Sequence, residues 1–482
     1  MRLILFIAFL SSLSLSVSQA FADDSADVVS FGTRLVIESA ILEESREIWV
    51  STPYGYENSE ETYPVLLLLD GITHFQHAST SAVHLARSNR IPGLIVVGLL
   101  STDRGRDFTP PTTDPDEATE MESHGGADRF LEFLTQELLP EVDAQYRTRP
   151  HRILAGHSLG GLFATHTLVT SPDSFAGYII LSPSLDWSNQ GLVDQTEDML
   201  ANTAELQADI YFSVANEGGE TLGALRKITG MLGENTPRGL RWNFRHMPLE
   251  HHNSMTLTSL YFGLEAVFEG WSVPDYFSVY EVGGLESLER VYRDGGRRFG
   301  YDRELSSLTK LQLADDLITL NRIEEADAIV TGELDARPPA YFVNLLGEKY
   351  EASGNSERAI ELYTLSLSSN PADAIAARRL AELGVDTSSL ISTASVASEL
   401  LQLYTGTYEP MPNVSLSIYM EDARLYSQVQ GQRATELIPT SETRFSLRDA
   451  DAEIEFIAEE SQPASRLIIH QFGQEIVADR VE

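Results

Sequence analysis

Gly156-His157-Ser158-Leu159-Gly160 follows an apolar stretch at 153–155 and opens a helix-like run through Leu162 and Phe163. A serine on a sharp strand-to-helix turn is exposed on a strained backbone, so the residues two before and two after it must lack side chains. Gly156 and Gly160 meet that need, with Gly161 beside them. In a chain with 33 glycines the pentapeptide alone is weak, and its strand and helix context makes it specific. A hydroxyl is a poor nucleophile at neutral pH and needs a base; where a turn of this kind carries the serine, the order along the chain is serine, acid, histidine.

Between Ser158 and residue 300 the histidines are His166, His246, His251 and His252. His166 lies in the helix that the serine opens and reads as structural. The stretch 247–254 falls between a strand-like 241–246 and a helix-like 255–268, where a histidine loop belongs, and it carries His251 and His252. For the acid, the strand-like 210–214 runs into Ala215-Asn216-Glu217-Gly218-Gly219-Glu220, which offers Glu217 and Glu220 just past a strand end. Developing negative charge on a substrate oxygen would require two N–H donors. Leu159 supplies one, and the amide of Ile72 or Gly71, after the apolar run 65–69, supplies the other.

The elements that must position these residues are strand-like stretches at 47–51, 65–69, 94–100, 153–155, 177–181 and 210–214, alternating with helical spacing such as Leu131, Leu134, Leu138 and Val142 within 127–146. Runs such as Val65-Leu66-Leu67-Leu68-Leu69 suit strands covered on both faces, which predicts an α/β domain with a mostly parallel central sheet.

Leu69-Asp70-Gly71, Arg104-Gly105-Arg106-Asp107-Phe108-Thr109-Pro110, Gly125-Gly126-Ala127-Asp128-Arg129-Phe130, Glu137-Leu138-Leu139-Pro140, the Ser158 segment through Gly161 and Ser182-Pro183-Ser184 together resemble the putative esterase family. That family includes esterase D-like enzymes and enterobactin-type siderophore esterases, all α/β-hydrolases. The likeness covers roughly 31–271. It implies Ser158 as nucleophile and His252 as base, because a Glu-x-His-x-Ser pattern is matched by Glu250, His252 and Ser254, with His251 as the alternative. The acid loop varies in the family, so Glu217 is the choice there and Glu220 its rival. The implied activity is hydrolysis of a carboxylic ester through an acyl-enzyme, with no cofactor and no metal. An acyltransferase on the same machinery is the near alternative, and a non-catalytic scaffold using the repeats described below is the distant one.

Other residues have plainer readings. His74 and His77 suggest a metal pair, but no third ligand accompanies them, and a loop lining the pocket explains them better. Arg104, Arg106 and Asp107 are expected to pair with one another and hold their loop rather than touch substrate. Trp187 either walls an acyl pocket or packs.

Past Trp271 the pattern changes. A helical connector at 276–306 leads to 307–385, where Leu346, Gly347, Tyr350, Gly354, Ala359, Tyr363 and Pro371 fit a tetratricopeptide spacing and Leu313, Ala314, Leu317, Ala326 and Pro338 echo it 33 residues earlier. Such repeats offer either a groove for a peptide or protein partner or a brace. After a linker at 386–398, the stretch 399–482 alternates in short strands at hairpin spacing, and Tyr404-Thr405-Gly406-Thr407-Tyr408 with Glu436-Leu437-Ile438-Pro439 resembles the lipocalin-like domain appended to some serine hydrolases. That predicts a small all-β domain after a short all-α region.

The chain has 34 Lys and Arg against 72 Asp and Glu, a net charge of -38, which disfavours nucleic acid and anionic lipid as partners. Cysteine is absent, which removes disulfides, thiolate metal sites and a lipid-anchoring cysteine together. Arg2, the apolar 3–10 and Ala20-Phe21-Ala22 are laid out as a cleavable leader over 1–22, ahead of an α/β domain expected at 23–275. The expectation is a periplasmic or secreted protein without a membrane span, acting on a small-molecule or acylated ester.

Overall fold

The computed structural model describes residues 30–481 apart from 113, 335–337, 388–393, 412–413, 448–451, 459–461 and 472–473. The expected leader at 1–22 lies outside the described residues. The chain forms two compact units, one of residues 30–274 with 294–303, the other of 275–293 with 304–481.

The first unit is built on eight strands: β1 (Thr33–Ser39), β2 (Glu44–Ser51), β3 (Tyr63–Leu68), β4 (Ile95–Leu99), β5 (Thr148–His157), β6 (Gly177–Leu181), β7 (Asp209–Ala215) and β8 (Arg241–Met247). Their order is β1-β2-β4-β3-β5-β6-β7-β8. β1 and β2 form an antiparallel edge, and the pairings from β4 to β8 are all parallel. Every residue of β3, β4, β6 and β7 is buried, because helices cover both faces. One face is packed by the helices Gly71–Arg87 and Met255–Val267, through Phe75, Ala82, Leu260 and Leu264. The other carries the helices Leu159–Thr170, Trp187–Asn202 and Glu220–Glu234, through Leu162, Phe163, Leu192 and Leu225. This is the α/β-hydrolase architecture that the resemblance implied.

The strand β1 escapes the sequence reading because it is a largely exposed edge whose apolar residues are flanked by charge. The helical stretch 127–146 is interrupted: helix Ala127–Phe133 passes through a π-turn at Leu134–Leu138 into helix Leu139–Gln145. Pro140 sits in the first turn of that last piece, where its missing N–H costs least.

In the second unit, residues 276–293 belong to the long helix Tyr276–Arg298, which breaks at Gly283 and Gly284, the latter at φ 66°. The shorter helices Ser307–Thr319, Ile323–Gly332, Ala340–Ala352, Ser356–Ser369 and Ala374–Glu382 come next, and Ser398–Tyr404 precedes the last strands. Consecutive helices pack together, with Leu313, Leu346, Ala326 and Ala359 all buried. At Gly347 a Cβ would come within 2.7 Å of the Tyr363 ring, so the close helix approach there requires glycine.

The last eight strands are β9 (Gly406–Met411), β10 (Val414–Glu421), β11 (Arg424–Val429), β12 (Thr435–Pro439), β13 (Arg444–Leu447), β14 (Glu453–Ile457), β15 (Arg466–Gln471) and β16 (Gln474–Arg480). They close into an antiparallel barrel in which β16 returns to β9. Its interior is filled by side chains, among them Tyr404 stacked on Phe456 at 4.3 Å with Phe445 edge-on. No helix among the described residues is long and apolar enough to cross a membrane.

Candidate active site

Ser158 stands between β5 and the helix Leu159–Thr170 at φ 60°, ψ −118°, a conformation that costs a non-glycine residue of order 1–3 kcal/mol. The turn is held from both sides: Ser158 N–H donates to the Leu181 carbonyl at 3.0 Å, and Ser184 N–H to the Ser158 carbonyl at 3.1 Å. The glycines around it are needed to different degrees. A Cβ at Gly156 would lie 2.1 Å from the Gly160 carbonyl oxygen, and one at Gly161 would lie 2.9 Å from Pro183 Cα. At Gly160 the nearest atom would be 3.4 Å away, which is ordinary contact. Gly156 and Gly161 therefore set the turn, and Gly160, which the motif names, is the least constrained of the three.

The structure brings His252 and Glu217 together. His252 Nδ1–H donates to Glu217 Oε1, which leaves Nε2 as the nitrogen open to proton transfer. The acid loop and the histidine loop are joined through the backbone, Asn216 N–H to the Glu250 carbonyl at 2.9 Å. Ser254 Oγ binds the Glu250 carboxylate and accepts from His251 N–H at 3.0 Å. The Glu and Ser flanking His252 in the sequence pattern thus hold the loop. Of the rivals, Glu220 begins the helix Glu220–Glu234, and His251 Nδ1 accepts from the Ser254 N–H at 3.4 Å, turned to its own loop.

Ser158 Oγ has Ser184 Oγ 3.4 Å away, and among the described residues no hydrogen bond joins it to His252. The two are linked through His157, whose ring lies 4.4 Å from that of His252 and whose Nε2 donates to the His252 carbonyl at 2.9 Å. Nucleophile–base hydrogen bonds are commonly long before substrate binds.

Leu159 and Ile72 each stand in the first turn of a helix, so their amides have no intrahelical acceptor and sit at the positive end of a helix dipole. The helix Gly71–Arg87 starts at the end of β3, the strand beside β5, which puts the two helix starts at neighbouring strand ends. Gly71 is required there, since a Cβ would meet Gly98 C at 2.8 Å. The Ile72 side chain is 71% exposed.

Three histidines crowd the site. His74 and His77 lie in the helix Gly71–Arg87 rather than on a loop, with His74 Nδ1 3.1 Å from His77 Nε2 and the His74 ring edge-on to His157 at 5.7 Å. Burial lowers the pKa of all three, to about 4 for His77 and about 3 for His157, so each is neutral at pH 7.

The arginine loop departs from expectation in one respect. Arg106 and Asp107 do pair, within a cluster that adds Arg46 and Glu44. Arg104 turns away from them to Asp70. Trp187 is buried, its Nε1–H donating to the Pro110 carbonyl at 3.0 Å, which makes it a packing residue. His166 pairs with Asp128 at 2.7 Å, a structural role as expected. Sequence reasoning missed His157, Ser184, Asp70 and Arg104 as neighbours of the serine, although each lies inside a quoted motif.

Residues 39–233 match the family model described as putative esterase. Ferri-bacillibactin esterase BesA of Bacillus subtilis is 35% identical over 171 residues, 32% of this chain and 58% of that protein. The siderophore triacetylfusarinine C esterase of Aspergillus fumigatus is 35% identical over 157 residues, 30% of this chain and 52% of that protein. The chain thus spans about half the length of these curated relatives. An IroE-like serine hydrolase from Shewanella oneidensis, solved at 2.12 Å, is 26% identical, covers 70% of this chain and 98% of its own, and has a TM-score of 0.49.

Proposed function

We propose, from the match of residues 39–233 to the putative esterase family model, that this chain hydrolyses a carboxylic ester through an acyl-enzyme on Ser158. In this reading Ser158 Oγ attacks the ester carbonyl carbon while His252 Nε2 takes its proton. The amides of Leu159 and Ile72 receive the oxygen as it becomes negative. His252 returns the proton to the departing alkoxide, and the alcohol leaves. Water then attacks the acyl carbonyl, His252 takes a proton from it and passes it to Ser158, and the free acid departs. Glu217 fixes the tautomer of His252 and offsets the charge that the imidazole gains.

The observation that carries this reading is the Glu217 contact to His252 Nδ1, made by the two loops that follow β7 and β8, beside the strained Ser158. The names of the relatives point to siderophore esters as the substrate class, and Arg2 with the apolar run after it supports export. The test is a hydrolysis panel of siderophore lactones and esters against simple aryl acetates. Turnover of the panel by the wild-type protein and none by Ser158→Ala is the expected result. Equal rates for the two proteins would remove Ser158 from the chemistry, and turnover of aryl acetates alone would remove the siderophore assignment.

A further inference from the structure

The residue at this site with the most unusual connections is one that the chemistry above does not use. Arg104 Nε donates to Asp70 Oδ1 and Oδ2 at 2.9 and 3.1 Å, and its Nη2 donates to Asp70 Oδ2 at 3.1 Å. The same Nη2 donates to the carbonyl oxygen of His157 at 3.1 Å. Asp70 is the residue before Gly71 and Ile72, and it is held at φ 53°, ψ 44°, in the left-handed region, with its carbonyl accepting from Thr73 and His74 N–H. His157 is the residue before Ser158. One guanidinium therefore ties the residue two before Ile72 to the residue before Ser158.

The setting suits a strut. Asp70 is 8% exposed, and Ser101 Oγ donates to it at 3.0 Å, so its carboxylate is fully partnered by groups that orient it. Oδ2 lies 3.5 Å from the place where a Cβ at Gly160 would stand, so the pair lies directly against the serine turn. The loop that bears Arg104 is itself anchored: Asp103 caps its short helix, and Thr109 Oγ1 donates to the Gly105 carbonyl at 2.8 Å. A planar fork with fixed N–H directions can hold a carboxylate and a carbonyl at once, whereas a lysine ammonium on a flexible stem cannot fix both.

We infer that Arg104 is a positioning residue that sets the spacing between the Ile72 amide and Ser158, and so determines how well the transition-state oxyanion is held rather than how well substrate binds. The inference rests on the reading of Ser158 and Ile72 given above. Errors on the order of 1 Å in such spacings cost about 10²-fold in rate.

The experiment is steady-state hydrolysis of p-nitrophenyl acetate, a small uncharged ester, by wild type, Arg104→Gln, Arg104→Lys, Asp70→Asn and the double variant Asp70→Asn/Arg104→Gln, with Ser158→Ala alongside. The expected result is a fall in kcat of about 10²-fold in Arg104→Gln with KM within about twofold, since only the transition state is affected. Arg104→Lys should not restore the rate, and the double variant should be no slower than the worse single one. Asp70→Asn keeps the shape of the strut and carries the test if the arginine variants fail to fold. A wild-type kcat in folded Arg104→Gln overturns the inference, as does a raised KM with kcat intact, which would make Arg104 a substrate contact. An inactive wild type, or an active Ser158→Ala, would instead strike the ester-hydrolase reading itself.

Discussion

His252 and His470 each rest against glutamate, one in each unit, in surroundings that differ in kind. Glu217 holds His252 by Nδ1 alone, on a loop past the C-terminal end of β8, beside a strained serine and close to two helix starts. His470 lies within the β15 ladder, its Nε2 3.2 Å from Glu455 and its Nδ1 3.4 Å from Glu475, with Arg444 also on Glu455. Both of its nitrogens face carboxylates, so none is open to exchange a proton with a substrate. A histidine–glutamate pair is thus common currency in a folded chain. What makes a site of one pair is the convergence of a nucleophile, a histidine nitrogen not held by the acid and helix-start amides at the C-terminal ends of neighbouring strands.

The sharpest way to break this comparison is to neutralise the same carboxylate in both places. Glu217→Gln should lower kcat by as much as ~10⁴, because it loses the charge and favours the wrong tautomer. Glu455→Gln should leave ester hydrolysis within about twofold, exposed ion pairs of this type being worth about 0–1 kcal/mol. Comparable losses in the two variants would dissolve the distinction.

A second prediction sets the cores of the two units against each other. Phe456→Ala removes the ring stacked on Tyr404 and should cost about 3–5 kcal/mol, melting the barrel at lower temperature. The rate on a small ester should hold, since no residue of the barrel belongs to the site described. Calorimetry with a parallel rate assay checks both statements, and a rate that falls with the barrel transition would give the barrel a part in the site.

Acid should separate the units further. Unfolded histidines protonate near pH 6.5, whereas burial, the largest cause, holds His77 and His151 to about 4 and His157 to about 3 in the folded protein. At these three histidines the unfolded chain binds more protons than the folded one, while Asp209, raised by burial to about 6, opposes one of them below pH 6; the stability that the histidines contribute, full above pH 6.5, is lost as pH falls toward 4. The loss should be about 1 kcal/mol per pH unit for each such group. The second unit holds a single histidine, so its transition should move less between pH 7.5 and 5. Calorimetric scans across that range decide it; His151→Leu should flatten the slope.

The smallest effect expected is at Glu220. As the first residue of its helix it favours the dipole, and Glu220→Gln should change kcat by less than about tenfold. A larger loss would transfer the role of Glu217 to it.

Much of the sheet was legible because its central strands are buried on both faces: 177–181 coincides with β6, and the other strands predicted in the first unit differ from the observed ones by a few residues at their ends. The edge strand β1 and the helix bearing His74 and His77 were not legible. The first mixes charge with its apolar residues, and the second opens on a glycine behind a left-handed aspartate with no capping side chain. Ser158, His252 and Glu217 could be placed by motif and order. The partners of Arg104 could not, because Asp70 is 34 residues away from it along the chain and nothing local distinguishes it from the nearer Asp107.

The most direct test of the account is to trap the acyl-enzyme. Intact-mass measurement after treatment with a fluorophosphonate, or after rapid quenching during turnover of a slow aryl ester, should give a single adduct mapped by peptide sequencing to Ser158 and absent from Ser158→Ala. Turnover with no adduct on Ser158, or an unchanged adduct in Ser158→Ala, would contradict it.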